Sequence, residues 1–342
     1  MIILTEGHTN PHTAKTAASV VRYRGAEVAA LLDSTQQGET SQSLLGVGGE
    51  IPVVASLDAV PDADTLLIGI APAGGKLPDE WRGVIEAAIA RKMTVISGLH
   101  DFLTDDRELT AAAAQHGARL VDVRKNRERT IARQQGIRPD CLRLLTVGTD
   151  CSVGKMVTAI EVSRALTAAG HDAQFVATGQ TGIMIAGEGC PVDTVVADFV
   201  SGAAERLVLA NQHHDCILIE GQGSLFHPSY SGVTLSLLHG TLPHGLILCH
   251  EVGRSSVHGL EHVPLPSLAK AREVYETMGS LFQPCRVIGA ALNTRRLGDA
   301  GAAAECERVE QELNVPTCDV FRQGTDRLAE AVLALQSQLA AG

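Results

Sequence analysis

Residues 144–156, Leu144-Leu145-Thr146-Val147-Gly148-Thr149-Asp150-Cys151-Ser152-Val153-Gly154-Lys155-Met156, decide how the second half of this chain is read. The first four predict a buried strand, a glycine-bounded loop follows without a break, and Val157-Thr158-Ala159-Ile160-Glu161-Val162 continues as a helix. A strand, a glycine loop and a helix start aim backbone N–H groups and the positive end of a helix at one spot, where Lys155 adds a full charge. That combination predicts an anion site of the P-loop type, with Gly148, Thr149, Asp150, Cys151, Ser152, Val153, Gly154, Lys155 and Met156 as the candidate cofactor-binding residues. A nucleotide-hydrolysing loop follows its lysine with Ser or Thr to hold Mg²⁺, and Met156 stands there instead. Phosphate binding survives that change, whereas ATP hydrolysis does not fit it; the pyrophosphate or 3′-phosphate of coenzyme A is a better match.

Working outward, Gln174–Thr178, Cys216–Glu220, Leu246–Cys249 and Val287–Leu292 read as further strands. Upstream, Ile2–Thr5, Val28–Leu32, Ile51–Val54, Thr65–Ile70, Thr94–Ser97 and Arg119–Val123 are strands separated by helical patterns at Ala14–Tyr23, Trp81–Arg91 and Arg107–Gln115. Continuous apolar strands alternating with helices predict parallel sheets covered on both faces. Lys125–Asp140 breaks the pattern with Arg127, Arg129, Arg133 and Arg138 and little apolar periodicity. The expectation is two three-layer α/β/α domains, a Rossmann-like one over 1–138 and a P-loop-type one over 139–342, with mostly parallel sheets.

In the first half the strand Ile2–Thr5 leads into Gly7-His8-Thr9-Asn10-Pro11-His12 and not into Gly-x-Gly-x-x-Gly, so dinucleotide binding is weakly signalled. Asp33 stands where a ribose-binding acid would lie, but without the glycine turn an ordinary loop or cap residue is preferred. Ala71-Pro72-Ala73-Gly74-Gly75-Lys76 offers N–H groups at a strand end and reads equally as a site wall or a turn.

Catalytic candidates come from the second half. Glu220 ends a strand and precedes Gly221-Gln222-Gly223-Ser224, at the sheet edge where open α/β folds bind ligands, as a general base or metal-binding acid. His227, in Phe226-His227-Pro228-Ser229-Tyr230-Ser231-Gly232, is the second candidate base, and Tyr230 a substrate contact. Cys151 sits near a helix N-terminus and Lys155, which would favour thiolate, so it is read either as a nucleophile or as a small residue that fits the loop. Gln180 and Thr181, after Thr178-Gly179, and Asp198 are candidate substrate residues, Asp198 toward an ammonium or as a helix cap. Arg254 is read as the partner of a substrate carboxylate or as a surface arginine. His250-Glu251 lacks the His-Glu-x-x-His spacing of a zinc site, so no metal is expected.

A net charge of -11 argues against a nucleic-acid or anionic-membrane surface, which leaves small molecules as the expected partners. The eight cysteines are scattered without a Cys-x-x-Cys pair and read as reduced, packed thiols. No secretory signal or membrane-spanning run is seen, so a cytoplasmic protein is expected, and a homo-oligomer.

The loop Gly148–Lys155 resembles that of dethiobiotin synthetase in its Gly-Thr-Asp start and Val-Gly-Lys end, the Thr after the lysine being absent. Over nearly its full length the chain resembles the D-glutamate N-acetyltransferase family, a Rossmann-like domain fused to such a P-loop domain. The resemblance is carried by Ile68–Gly75, Ser97-Gly98-Leu99-His100-Asp101-Phe102-Leu103, Gly148–Met156, Thr178-Gly179-Gln180-Thr181-Gly182 and Ile219–Ser224. It implies acetyl transfer from acetyl-CoA to the amino group of D-glutamate in D-amino-acid breakdown, with Glu220 or His227 as base and N–H groups of Gly221 to Gly223 facing the oxyanion. The competing readings are an ATP- and Mg²⁺-dependent ligase of the dethiobiotin synthetase type, against which Met156 counts, and a non-catalytic nucleotide sensor.

Overall fold

Leu142 and Leu144 pack on one side of their strand while Leu145 and Val147 pack on the other, and Cys216 and Leu218 against Ile217 and Ile219 repeat the arrangement next door. Such two-faced burial is what a central parallel strand requires. It organises both halves of the computed structural model, which describes residues 1–70 and 73–341. The chain separates into two units, Met1–Lys125 with Ile183–Gly187, and Asn126–Gly182 with the chain from Glu188 onward.

The first unit holds β1 (Ile2–Leu4), β2 (Ala30–Leu32), β3 (Val53–Val54), β4 (Thr65–Ile68), β5 (Thr94–Ser97) and β6 (Arg119–Asp122), with α1 (Lys15–Arg24), α2 (Ser41–Leu45), α3 (Arg82–Ala90) and α4 (Arg107–His116). The sheet order is β3-β2-β1-β4-β5-β6, every neighbouring pair parallel. This is the Rossmann order, with its switch point between β1 and β4. Ile2, Leu4, Leu66 and Ile68 pack with Ile85, Ile89 and Leu109 of α3 and α4. Ile3, Leu31 and Leu67 face the opposite way, onto Ala17, Val20 and Val21 of α1. Burying each of these larger aliphatic side chains contributes about 1.5–3 kcal/mol, so the layers hold because neither sheet face is left wet.

The second unit holds β7 (Leu142–Gly148), β8 (Ala173–Val176), β9 (Cys216–Ile219), β10 (Gly245–Glu251), β11 (Ser256–Val257), β12 (Leu260–Pro264), β13 (Arg286–Asn293) and β14 (Thr317–Cys318). Its helices are α5 (Lys155–Ala168), α7 (Val200–Asn211), α8 (Ser231–Thr241), α9 (Leu268–Gly279), α10 (Asp299–Leu313) and α11 (Asp326–Ala341), and α6 (Gln180–Ala186) starts here but belongs from Ile183 to the first unit. The order β14-β13-β10-β7-β9-β8 is again parallel throughout. Helices α7 to α10 cover one face and α5 with α11 the other. The order puts β7 between β9 and β10, so the loops after Gly148, Ile219 and Glu251 leave the same sheet edge side by side.

Two elements escape the sequence pattern. β11 and β12 form a small antiparallel hairpin, and β14 is a two-residue edge strand; both are too short for periodicity to mark. The arginine-rich stretch between the expected domains is fixed to α7 from Asn126 onward. Glu205, 4% exposed, accepts the N–H groups of Arg133 at 2.9 Å and Gln134 at 2.7 Å, and Glu128 accepts Arg206 Nε at 2.6 Å. No helix among the described residues is long and apolar enough to cross a membrane.

Candidate functional site

The loop after β7 is held in shape from three sides. Tyr275 Oη and Ser224 Oγ both donate to the Gly148 carbonyl, at 2.7 and 2.8 Å, and Leu225 N donates to the same tyrosine oxygen at 3.2 Å. Lys155 Nζ, buried, donates to the Asp150 carbonyl at 2.8 Å. Asp150 is fully enclosed: Oδ1 accepts Cys151 N at 2.7 Å, and Oδ2 accepts Arg254 Nη1 and His258 N, each at 2.7 Å. Gly154 takes φ 114, a backbone region that only glycine enters without strain, and turns the chain into α5. The N–H groups of Ser152, Val153, Gly154, Lys155 and Met156 meet no acceptor among the described residues. The predicted anion nest is therefore formed, and its donors are available to a ligand.

Glu220 lies one strand away. Its Oε2 accepts Thr178 N at 2.9 Å and Gly179 N at 3.0 Å, just before α6 begins, and the residue is 4% exposed. Burial pushes its carboxyl up to about 7, against the pull of those N–H groups, Gln222 and Lys155. Gly221 has no room for a side chain, because a Cβ there would fall 1.7 Å from the Thr146 carbonyl oxygen. Gly221 N is in turn taken by Thr146 Oγ1 at 2.9 Å, so it is not free to meet an oxyanion, and the expectation for that donor is corrected.

The chain then crosses Gly223 and Ser224 and brings His227, 5% exposed, over the loop, where a ring nitrogen, Cys151 Sγ and an Asp150 carboxylate oxygen all lie within 4.8 Å of one another. His227 Nδ1 accepts Ser229 N at 3.2 Å, and its ring packs on Tyr230 with centroids 4.5 Å apart. This trio has the residue types of a metal site, but both Asp150 oxygens are already taken by N–H donors and one of them faces a guanidinium. A cation would have to displace an arginine, so the trio does not suit a metal.

The expectation of a Cys151 thiolate is corrected: burial raises the thiol above its ordinary value and outweighs Lys155. The lysine is itself buried and pushed down by that burial, and it is spent on a carbonyl. Arg254 is not a surface residue. Its side chain is 10% exposed and bonds Asp150, the Cys151 carbonyl at 2.9 Å and Glu251, so it braces the loop. Gln180 and Thr181 open α6 beside the Glu220 partners, whereas Asp198 and Tyr230 lie at the surface. Asp198 does not cap α7, whose N-cap position is Phe199, without a side-chain bond.

Several members were missed by sequence reasoning. Tyr275 comes from α9, far along the chain. Thr149 Oγ1 shares a hydrogen bond with His250 Nδ1 at 2.9 Å. Buried Glu251 gathers Arg254, Arg295 at 2.8 Å and Arg296 at 3.1 Å; burial pushes its carboxyl up, and Arg254 and Arg295 reverse that and hold it below the usual range. The Glu251-x-x-Arg254 spacing was the available signal for that cluster.

In the first unit, Asp33 is the N-cap of a short 3₁₀ turn, accepting Thr35 N at 3.0 Å, and it also takes the Thr9 hydroxyl at 2.5 Å. Of the glycine loop at 71–76, Ala71 and Pro72 lie outside the described residues, and the Gly75 carbonyl accepts His100 N at 2.9 Å.

Comparison with known proteins adds to this geometry. The family model described as "Domain of unknown function (DUF1611_C) P-loop domain" matches residues 129–329, and "Domain of unknown function (DUF1611_N) Rossmann-like domain" matches 34–126. A D-glutamate N-acetyltransferase from Tritonibacter scottomollicae is 43% identical over 275 residues, 80% of this chain and 82% of that protein. A D-glutamate N-acetyltransferase from a Pseudoalteromonas species is 40% identical over 78% of this chain and 80% of its own length. The crystal structure of a DUF1611 family protein from Anabaena variabilis superposes with a TM-score of 0.91 at 36% identity, covering 97% of this chain and 98% of that one.

Proposed function

We propose that this chain, which belongs to the DUF1611 family of Rossmann-like and P-loop domains shared with D-glutamate N-acetyltransferases, moves an acetyl group from acetyl-CoA to the amino group of D-glutamate. The observation that carries the reading is Glu220, a buried carboxyl drawn to about 7 at the sheet edge next to the open N–H groups of the Ser152–Met156 loop. Amide formation needs a base that works near neutral pH to take a proton from the substrate ammonium, and donors for the oxygen that becomes negative as the thioester is attacked. In this reading Glu220 is the base, directly or through one water, and the loop from Gly148 to Met156 receives the acyl donor. Gln180 and Thr181 line the approach to Glu220 and Tyr230 the outer rim. The half-exposed guanidiniums of Arg295 and Arg296, tethered on Glu251, supply positive charge for the phosphates of the donor.

Such an activity fits a cytoplasmic route of D-amino-acid breakdown and a homo-oligomer acting on small molecules. Met156 in place of a Mg²⁺-holding hydroxyl sets it apart from an ATP-dependent ligase. The test is direct: purified protein with acetyl-CoA and D- or L-glutamate, followed by free thiol release and chromatography of the product. Formation of N-acetyl-D-glutamate with acetyl-CoA alone is expected. Product that appears only with ATP and Mg²⁺, from free acetate, would overturn the reading in favour of a ligase.

A further inference from the structure

Cys151 stands in an arrangement that direct attack by the amine does not use. Its sulfur lies within 4.8 Å of a ring nitrogen of His227, a residue that is far along the chain and 5% exposed. The residue that follows Cys151, Ser152, takes φ 56, the left-handed region that a non-glycine residue enters only when its surroundings enforce it. The N–H groups without an acceptor begin at this same Ser152 and run to Met156 at the start of α5. A nucleophile on a sharp strand-to-helix turn, an imidazole beside it, and an N–H without an acceptor on the next residue are the parts that acyl-enzyme catalysts use.

We propose that Cys151 is a covalent acyl carrier, with His227 as its proton acceptor and the Ser152–Met156 N–H groups as its oxyanion donors; this rests on the reading of the chain as an acetyltransferase. In the first half-reaction Cys151 Sγ bonds to the acetyl carbonyl carbon and its proton passes to His227. The carbon–sulfur bond to coenzyme A then breaks, and coenzyme A leaves as a thiol carrying the proton from His227. His227 takes the proton on the ring nitrogen that lies within 4.8 Å of Cys151 Sγ. In the second half-reaction the amine, having lost one proton to Glu220, forms the carbon–nitrogen bond. The bond to Cys151 breaks, and the second amine proton returns to the sulfur through His227. A protonated resting thiol suits this scheme, since the proton is removed during attack and not before.

The scheme also says which end of the donor the loop holds. The pantetheine arm keeps the thioester far from the pyrophosphate, so one set of N–H groups cannot serve both while Cys151 reacts. The loop takes the thioester end, and the phosphates lie outward of it.

The experiment mixes the full-length protein with one equivalent of radiolabelled acetyl-CoA and no amino acid, quenches it rapidly, and maps the label by peptide mass. Expected are about one coenzyme A released per chain in a burst, one acetyl group on Cys151, and transfer of that group to product when D-glutamate is added. His227→Ala should slow the burst by about 10²–10⁴-fold. Cys151→Ala should show neither burst nor label, and Cys151→Ser, which preserves shape, covers the case in which the alanine variant does not fold. Steady turnover by wild type with no label on Cys151, or near-normal turnover by folded Cys151→Ala, overturns the acyl carrier while the acetyltransferase reading stands. Label on Cys151 that D-glutamate does not discharge supports the carrier and removes D-glutamate as the acceptor.

Discussion

The loops that follow β1 and β7 occupy equivalent places, each leaving a central strand of a six-stranded parallel sheet and leading into the first helix of its unit. They treat their polar groups in opposite ways. After β1, Thr9 Oγ1 bonds Thr5 Oγ1 at 2.8 Å as well as Asp33, Glu6 accepts Ser34 N at 2.7 Å, and His8 and Asn10 close turns on backbone carbonyls. These polar groups after β1 are taken up by the protein's own hydrogen bonds. After β7, side chains satisfy the carbonyls of Gly148, Asp150 and Cys151, while a run of N–H groups is left over. An unsatisfied set of donors marks a site more reliably than a fold does, because a completed network has nothing left to offer a ligand.

Changing Glu220 should produce the largest separation of activity from stability. Glu220→Gln retains an oxygen for Thr178 and Gly179 but removes basicity, so kcat should fall by about 10²–10⁴. In wild type, kcat/KM should rise with an apparent pKa near 7, as the carboxyl ionises. Stability should move the other way. A carboxyl whose folded pKa lies above its unfolded value favours the fold below the unfolded pKa and loses that contribution as pH climbs to about 7. The glutamine variant should therefore match wild type near pH 4 and exceed it at pH 8, by an amount on the order of 3 kcal/mol. Near-normal kcat in the folded variant would remove Glu220 from the chemistry.

Lys155→Ala should be the next largest. Its charge sits beside the nest, and losing a charge-assisted contact of roughly 1.5–3 kcal/mol should lower kcat/KM by about one to two decades. The fall should be carried by kcat if the loop serves the thioester end. A change confined to the KM for acetyl-CoA would assign the loop to phosphate and argue against the acyl carrier. Circular dichroism and a melt would check that loss of the bond to the Asp150 carbonyl has not collapsed the loop.

Much of this contrast was legible in the sequence. The strand, loop and helix around Gly148–Met156 were read correctly because buried parallel strands and glycine turns leave local marks. Local signals also singled out Glu220 and His227 as candidates. They could not say that His227 faces Cys151, that Tyr275 props the Gly148 carbonyl, or that Arg254 braces Asp150, since each pairing joins residues on different strands or helices. The Cys151 thiol was misread because helix-end and lysine effects are visible locally, whereas burial is a property of the packed molecule.

The smallest expected effect tests the other side of the comparison. Asp33 is fully buried; burial pushes its carboxyl up, and hydrogen bonds from Thr35, Thr9 and Gly7 outweigh this and hold it below the usual range. Asp33→Asn leaves an amide N–H₂ where an acceptor stood and should destabilise the first unit by about 1–2 kcal/mol. The chain has one tryptophan, Trp81, wholly buried in the core of that unit, so its fluorescence follows the unfolding of that unit. With a urea slope of about 1–3 kcal/mol per molar, the fluorescence midpoint should drop by roughly half a molar or somewhat more. A carboxyl with a depressed folded pKa contributes above its unfolded value and loses that contribution as pH falls through the folded one. The gap between wild type and Asp33→Asn should therefore be widest near neutral pH and shrink below about pH 4. Acetyl transfer under native conditions should be unchanged, because the bonds being weakened join Asp33 to Thr9 and Thr35 of its own unit. A fall in kcat at full Trp81 burial would mean that the loop after β1 takes part in the reaction, and the opposition between a filled loop and an open one would no longer hold.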